Sequence, residues 1–247
     1  MRRRIVPLLL ALLAAGCAPR PESRQYELQG QILGIEPQRN EVLIKHADDE
    51  SHLSTLTRTG HAALDTPPVI SDAPRVLDKG EAVADALLVN QEGAAQPFSK
   101  LRGHRVALTF IYTRCPLPEF CPLMDRHFAA VQKILNSSPA LADVRLVTMT
   151  LDPEFDTPAV LKAHAQRMNA DPTVWSFVTA EPKDAARFAA QFGIYMERNP
   201  GSAIDITHNL RTAVIDAEGR LVTVHSGNDW TPAQLVADLK AAPAPAR

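Results

Sequence analysis

Apolar and polar positions alternate first in two short runs, residues 26–33 and 41–46, with Pro37, Gln38, Arg39 and Asn40 between them, which predicts a small β-hairpin over residues 26–46. Residues 47–82 are rich in Asp, Ser, Thr and Pro without a sustained period, and read as a mostly irregular linker. The pattern changes near Val83. A strand is expected over 86–90, and residues 106–112 form an uninterrupted apolar run rich in β-formers, the signature of a strand buried on both faces. Met124, Phe128, Val131 and Leu135 then recur at helical intervals and predict a helix over 122–135. Further strands are expected over 144–151 and 174–179. Helices are expected over 157–168, with Pro158 in the first turn, and over 182–192, ended by Gly193. A hairpin of 211–216 and 220–225 and a helix over 231–241 close the pattern, leaving 242–247 as a tail.

A βαβ series followed by an antiparallel hairpin and a last helix is the order of a thioredoxin-like fold. The class is α/β, with a central β-sheet flanked by helices over residues 83–241. The 247 residues allow one main domain plus a small module. Twenty-six basic and 28 acidic residues are intermixed, so nucleic acid is not an expected partner.

The amino terminus bears on compartment. Arg2, Arg3 and Arg4 precede an apolar run over 5–15, the layout of a signal peptide covering 1–16, and too short to span a bilayer comfortably. The run ends in Ala14-Ala15-Gly16-Cys17, which resembles the site at which bacterial lipoproteins are cleaved and acylated, with Ala14 where Leu is more usual. Lipidation at Cys17, a tether over 17–25 and a membrane-anchored position on the periplasmic side of the envelope are the expectation. The alternative is an ordinary signal in which Cys17 is incidental. With Cys17 so assigned, Cys115 and Cys121 are the cysteines left for chemistry.

Both fall in the loop between the buried strand and the next helix, Thr113-Arg114-Cys115-Pro116-Leu117-Pro118-Glu119-Phe120-Cys121. A helix N-terminus favours thiolate, the form that ligates metal or attacks disulfides, and the prolines stiffen the backbone. A stabilising disulfide is the bland alternative in an exported protein. The short loop it would close weighs against it, as does its place at the end of a central strand, where open α/β sheets put their ligands.

Tyr112-Thr113-Arg114-Cys115-Pro116, the second Cys121-Pro122, Thr150-Leu151-Asp152-Pro153-Glu154-Phe155-Asp156-Thr157-Pro158, Trp175-Ser176-Phe177 and Thr207-His208-Asn209 together resemble the Sco/SenC family of copper chaperones for cytochrome c oxidase. The departure is spacing, since five residues separate the cysteines here where the family usually has three. The resemblance implies a copper site of Cys115, Cys121 and His208, a donor set suited to Cu(I) and, with an added oxygen ligand, to Cu(II). It also implies the copper-receiving subunit of cytochrome c oxidase as a partner, with an external thiol reductant or copper donor to keep the pair reduced. A thiol-disulfide oxidoreductase using Cys115 and Cys121 as its redox-active pair is the competing function. Asp152 reads as a strand end and Asp156 as a helix N-cap rather than as ligands. Met124 reads as core. Arg114 is expected to favour the thiolate. The hairpin ending in His46 faintly resembles a small copper-binding β module, here degenerate because residues 47–59 contain no Met.

Overall fold

The computed structural model describes the backbone of residues 30–36, 41–46 and 53–57, and residues 75–198 and 206–245 with their side chains. The expected signal, the tether and Cys17 lie outside the described residues. In the amino-terminal part, β1 (Gly30–Glu36) and β2 (Glu41–His46) pair antiparallel, with a register shift between Ile32 and Gly34. A third strand, β3 (Leu53–Thr57), pairs antiparallel with the other side of β2. It stands in the stretch expected to be irregular linker. Leu53 and Leu56 are its only apolar residues, too few to carry a period-2 signal, and β2 supplies the partner the segment needs.

The last part of that stretch is also not linker. The Leu77 N–H donates to the Gln191 carbonyl at 2.9 Å, the Gly80 N–H to Leu221 at 2.7 Å, and Leu77 packs on the core. Single backbone bonds of this kind leave no periodic trace in a sequence. The main sheet has seven strands. In chain order they are β4 (Leu87–Asn90), β5 (Ala95–Pro97), β6 (Val106–Ile111), β7 (Arg145–Thr150), β8 (Trp175–Thr179), β11 (Arg211–Ile215) and β12 (Leu221–Ser226). Across the sheet the order is β12-β11-β6-β7-β8-β4-β5. The β6–β7 and β7–β8 pairs are parallel and the rest antiparallel. A separate short pair, β9 (Met196–Arg198) with β10 (Ile206–His208), brings in the third candidate residue.

Every residue of β6 is buried. Its period-2 alternation divides it between two cores: Ala107 and Ile111 pack with α1 (Cys121–Asn136), α2 (Pro158–Arg167) and α4 (Pro232–Ala241), while Val106, Leu108 and Phe110 pack with α3 (Pro182–Ala190). Phe128 of α1 meets Trp175 of β8 at 5.9 Å between ring centroids and Trp230 at 6.4 Å, so α1 is seated by aromatic contacts as well as area. The consequence for function is positional. α1 is fixed against the sheet, and the loop from β6 to its first residue is held at both ends. Among the described residues, no helix is long and apolar enough to cross a membrane.

Candidate metal and thiol site

Tyr112 is the last buried residue of the β6 run, and the chain leaves the sheet at Thr113. There a buried carboxylate takes over. Asp156 accepts the Thr113 N–H at 3.0 Å, the Thr113 hydroxyl, and the Thr150 hydroxyl at 2.5 Å, which ties the exit of β6 to the end of β7. This corrects the expectation that Asp156 caps α2. Thr157 is the N-cap, its hydroxyl accepting from Val160 N–H, and Asp156, with no measurable exposure, points back toward the cysteine loop. A motif that reads as a cap is here a three-donor clamp, because tertiary partners outcompete the helix end for the carboxylate.

Asp152 is equally buried and is paired rather than vacant. It accepts from Arg114 at 2.5 Å and 3.2 Å and from Arg198 at 2.7 Å. Two guanidinium groups offset the desolvation of one carboxylate. Arg114 also stacks over Phe155 at 3.8 Å. The leading contacts that favour a thiolate at Cys115 come from Cys121, Leu117 and Tyr112.

Cys121 is the first residue of α1 and is 1% exposed, while Cys115 is partly exposed. Both are free thiols. The neighbouring Cys121 side chain, with backbone contacts from Leu117 and Cys121 and the Tyr112 hydroxyl, lowers the Cys115 thiol to about 6 against the cost of burial. Cys121 moves the other way, because it keeps the shared proton and is buried. The expected thiolate-favouring effect of the helix start therefore operates at Cys115 and is overridden at Cys121 itself. Tyr112 was not singled out by sequence reasoning. Its hydroxyl is pushed up by burial and by the neighbouring Cys115 charge, and its ring meets His208 edge-on at 5.7 Å. The signal was available: it is the tyrosine that ends the buried run 106–112, directly before the loop.

β10 delivers His208 to this pair. Its Nε2 lies 3.6 Å from Cys121 Sγ, and its Nδ1 is 2.9 Å from the Asn209 carbonyl. That carbonyl can only accept, so Nδ1 carries the hydrogen and Nε2 presents its lone pair to the thiols. Burial lowers the His208 pKa, which keeps the ring neutral and able to ligate. Asn209 is itself held, accepting from Tyr195 N–H at 2.8 Å and donating to the Gly193 carbonyl at 2.7 Å. The five residues between the cysteines are also pinned, with Arg126 donating to the Pro118 carbonyl at 3.0 Å and Asn228 to that of Glu119 at 2.9 Å.

The three residues thus meet through Cys121, but among the described residues no group of three His, Cys, Asp or Glu side chains stands preassembled as a metal cage. The donor chemistry fits a soft ion. The 3.6 Å between Sγ and Nε2 is below about 4.4 Å, the sum of ordinary metal–sulfur and metal–nitrogen bond lengths, so both atoms can reach one ion. Met124 is fully buried in the core and the other described histidines lie elsewhere, His164 on Asp125 and His225 on Asp238. The His46 side chain lies outside the described residues.

A family model described as SCO1/SenC matches residues 77–243. Among curated proteins, the SCO1 protein homolog of Bacillus subtilis is 26% identical over 155 residues, covering 62% of this chain and 78% of its own length. Among solved structures, BsSco, described as carrying a disulfide switch and as a member of the Sco family of cytochrome c oxidase assembly proteins, superposes with a TM-score of 0.57 at 24% identity, over 68% of this chain and 96% of its own. Bradyrhizobium japonicum ScoI, solved with copper bound, gives a TM-score of 0.55 at 25% identity, over 66% of this chain and 99% of its own.

Proposed function

The chain belongs to the SCO1/SenC family, a family of cytochrome c oxidase assembly proteins with copper-bound members, and on that premise we propose that it carries copper as cargo on Cys115, Cys121 and His208 and delivers it to the copper-receiving subunit of the oxidase. The observation that carries this reading is the neutral imidazole whose Nε2 is aimed at Cys121 from 3.6 Å while Nδ1 is held by the Asn209 carbonyl. Thiol exchange needs no imidazole, whereas a third ligand must have its tautomer set this way. Cys115 loses its proton first, Cys121 second as the ion replaces the shared hydrogen, and both protons leave to solvent.

On this reading the partly exposed Cys115 is the ligand first released to an acceptor, and the buried Cys121 and His208 keep the ion from water until then. The envelope that exports the protein also oxidises thiols, so an external thiol reductant keeps the pair open. Cys17 acylation after loss of residues 1–16 would hold the domain at the periplasmic face of a membrane.

A second reading has its own observation. A thiol at about 6 backed by a buried thiol is the pairing of attacking and resolving cysteine in a thiol-disulfide oxidoreductase. Anaerobic Cu(I) titration of the reduced chain separates the two. One copper per chain is expected, lost in Cys115→Ser and in Cys121→Ser and weakened in His208→Ala, with disulfide exchange unchanged in the histidine variant. Full-affinity binding in His208→Ala would overturn the copper reading in favour of the redox one.

A further inference from the structure

Five large hydrophobic side chains are exposed among the described residues, and three of them belong to the thiol site. Leu117 is 50% exposed and Phe120 39% exposed, both between the cysteines, and Phe155 is 41% exposed beneath the Arg114 guanidinium. The exposure is imposed by the backbone. Leu117 stands between Pro116 and Pro118, a turn joins Phe120 N–H to the Leu117 carbonyl at 3.1 Å, and the Arg126 and Asn228 side chains hold the intervening carbonyls. Such side chains on a pinned loop do not fold inward to cover themselves, and apolar groups gathered at one working site mark contact surface.

The charges beside them cancel. Arg114 and Arg198 face Asp152 and Glu154, the last pair at 4.0 Å, and the exposed Glu119 of the loop is matched in sign by Arg126, which donates to the adjacent Pro118 carbonyl, so neither sign of charge predominates around Cys115. Anything that exchanges with this thiol pair must bring its own atom to Cys115, since Cys121 is closed off behind it. We propose that Leu117 and Phe120, placed by the five-residue spacing, form a docking collar that selects a partner protein segment whose sulfur donor is flanked by uncharged apolar side chains. The inference rests on the thiol pair being the working site, and deepens that reading by naming the partner surface.

The test uses the reduced full chain and two synthetic peptides, each with one cysteine activated as a 2-thiopyridyl disulfide, flanked by leucines in one and by serines in the other. The Cys115 thiolate attacks the peptide sulfur. A Cys115–peptide disulfide forms, the peptide–thiopyridyl bond breaks, and pyridine-2-thione leaves with the electron pair and takes a proton. Cys121 then attacks Cys115, losing its proton and releasing the peptide thiol, so the chain is oxidised and the probe reduced. Covering the exposed half of two such side chains is worth about tenfold in rate. The leucine peptide is therefore expected to react about tenfold faster than the serine peptide. In Leu117→Ser/Phe120→Ser the ratio of the two rates should fall to about one, whatever the rate the two peptides share, and in Leu117→Ser alone it should fall part of the way. A wild-type ratio near one, or a ratio that survives both substitutions in a folded variant, overturns the proposal. Copper stoichiometry in the same samples keeps the two readings apart: a chain that binds no copper yet shows the ratio would sink the copper reading and leave the collar standing.

Discussion

Replacing Asp156 with Ala removes the clamp between the exit of β6 and the end of β7. Three donors lose their acceptor: the Thr113 N–H, the Thr113 hydroxyl and the Thr150 hydroxyl. A hydrogen bond to a charged group contributes about 1.5–3 kcal/mol net, but the three share one carboxylate and are not independent, and each hydroxyl can turn to a new partner. The backbone N–H cannot turn. The expected loss is about 3–5 kcal/mol, which for a domain of this size lowers the melting midpoint by roughly 10 °C. Asp156→Asn keeps the shape and one acceptor oxygen, so about 1–2 kcal/mol is expected there. Urea unfolding followed by the fluorescence of the buried Trp175 and Trp230 measures both variants, with the slope against denaturant unchanged. Because Thr113 lies two residues before Cys115, the alanine variant should also lose the sharp low-pH onset of Cys115 alkylation. A loss below about 1 kcal/mol in Asp156→Ala, or equal losses in the two variants, would refute the clamp and return Asp156 to an ordinary loop residue.

Alkylation of Cys115 in the reduced chain should rise as pH rises through about 6, since the thiolate is the reacting form and the depressed pKa sets its appearance. Cys121→Ala removes the side chain that favours this thiolate and should move the midpoint upward, and Tyr112→Phe should do so by less; iodoacetamide kinetics across pH would show otherwise if the midpoint stays put. Asn209→Ala releases the carbonyl-bearing loop from Tyr195 and Gly193, and should weaken copper binding by about tenfold while Cys115 alkylation is unchanged. Equal copper affinity in that variant would remove the positioning role given to Asn209. Cys17→Ala should shift the protein from the membrane to the soluble fraction with copper stoichiometry intact, and an unmodified Cys17 in intact mass spectra of the membrane fraction would refute acylation.

The amino-acid sequence by itself determined the elements that bury apolar area with a clear period. The unbroken run of β6 could only be a strand covered on both faces, and the three- and four-residue spacing from Met124 to Leu135 could only be a helix with one buried stripe. It also placed Cys115 on the loop between them, because a loop's ends follow from the elements it joins, whereas Cys121, expected on the same loop, opens α1 itself. What it could not reach were the contacts made across the chain. β3 became a strand because β2 offered it an edge, and residues 77–82 joined the domain through lone backbone bonds with partners more than a hundred residues away. Asp156 reads locally as a cap, and only the arrival of Thr113 and Thr150 at its two oxygens makes it a clamp. The opposite shifts of the two thiols are likewise invisible in their order along the chain. They depend on burial and on which sulfur keeps the shared proton, and the imidazole nitrogen that faces them depends on a carbonyl that the turn at Asn209 puts within reach of the other one. Spacing along a chain encodes periodic burial, whereas charge, tautomer and proton position are set by distances that exist only once the chain has closed on itself.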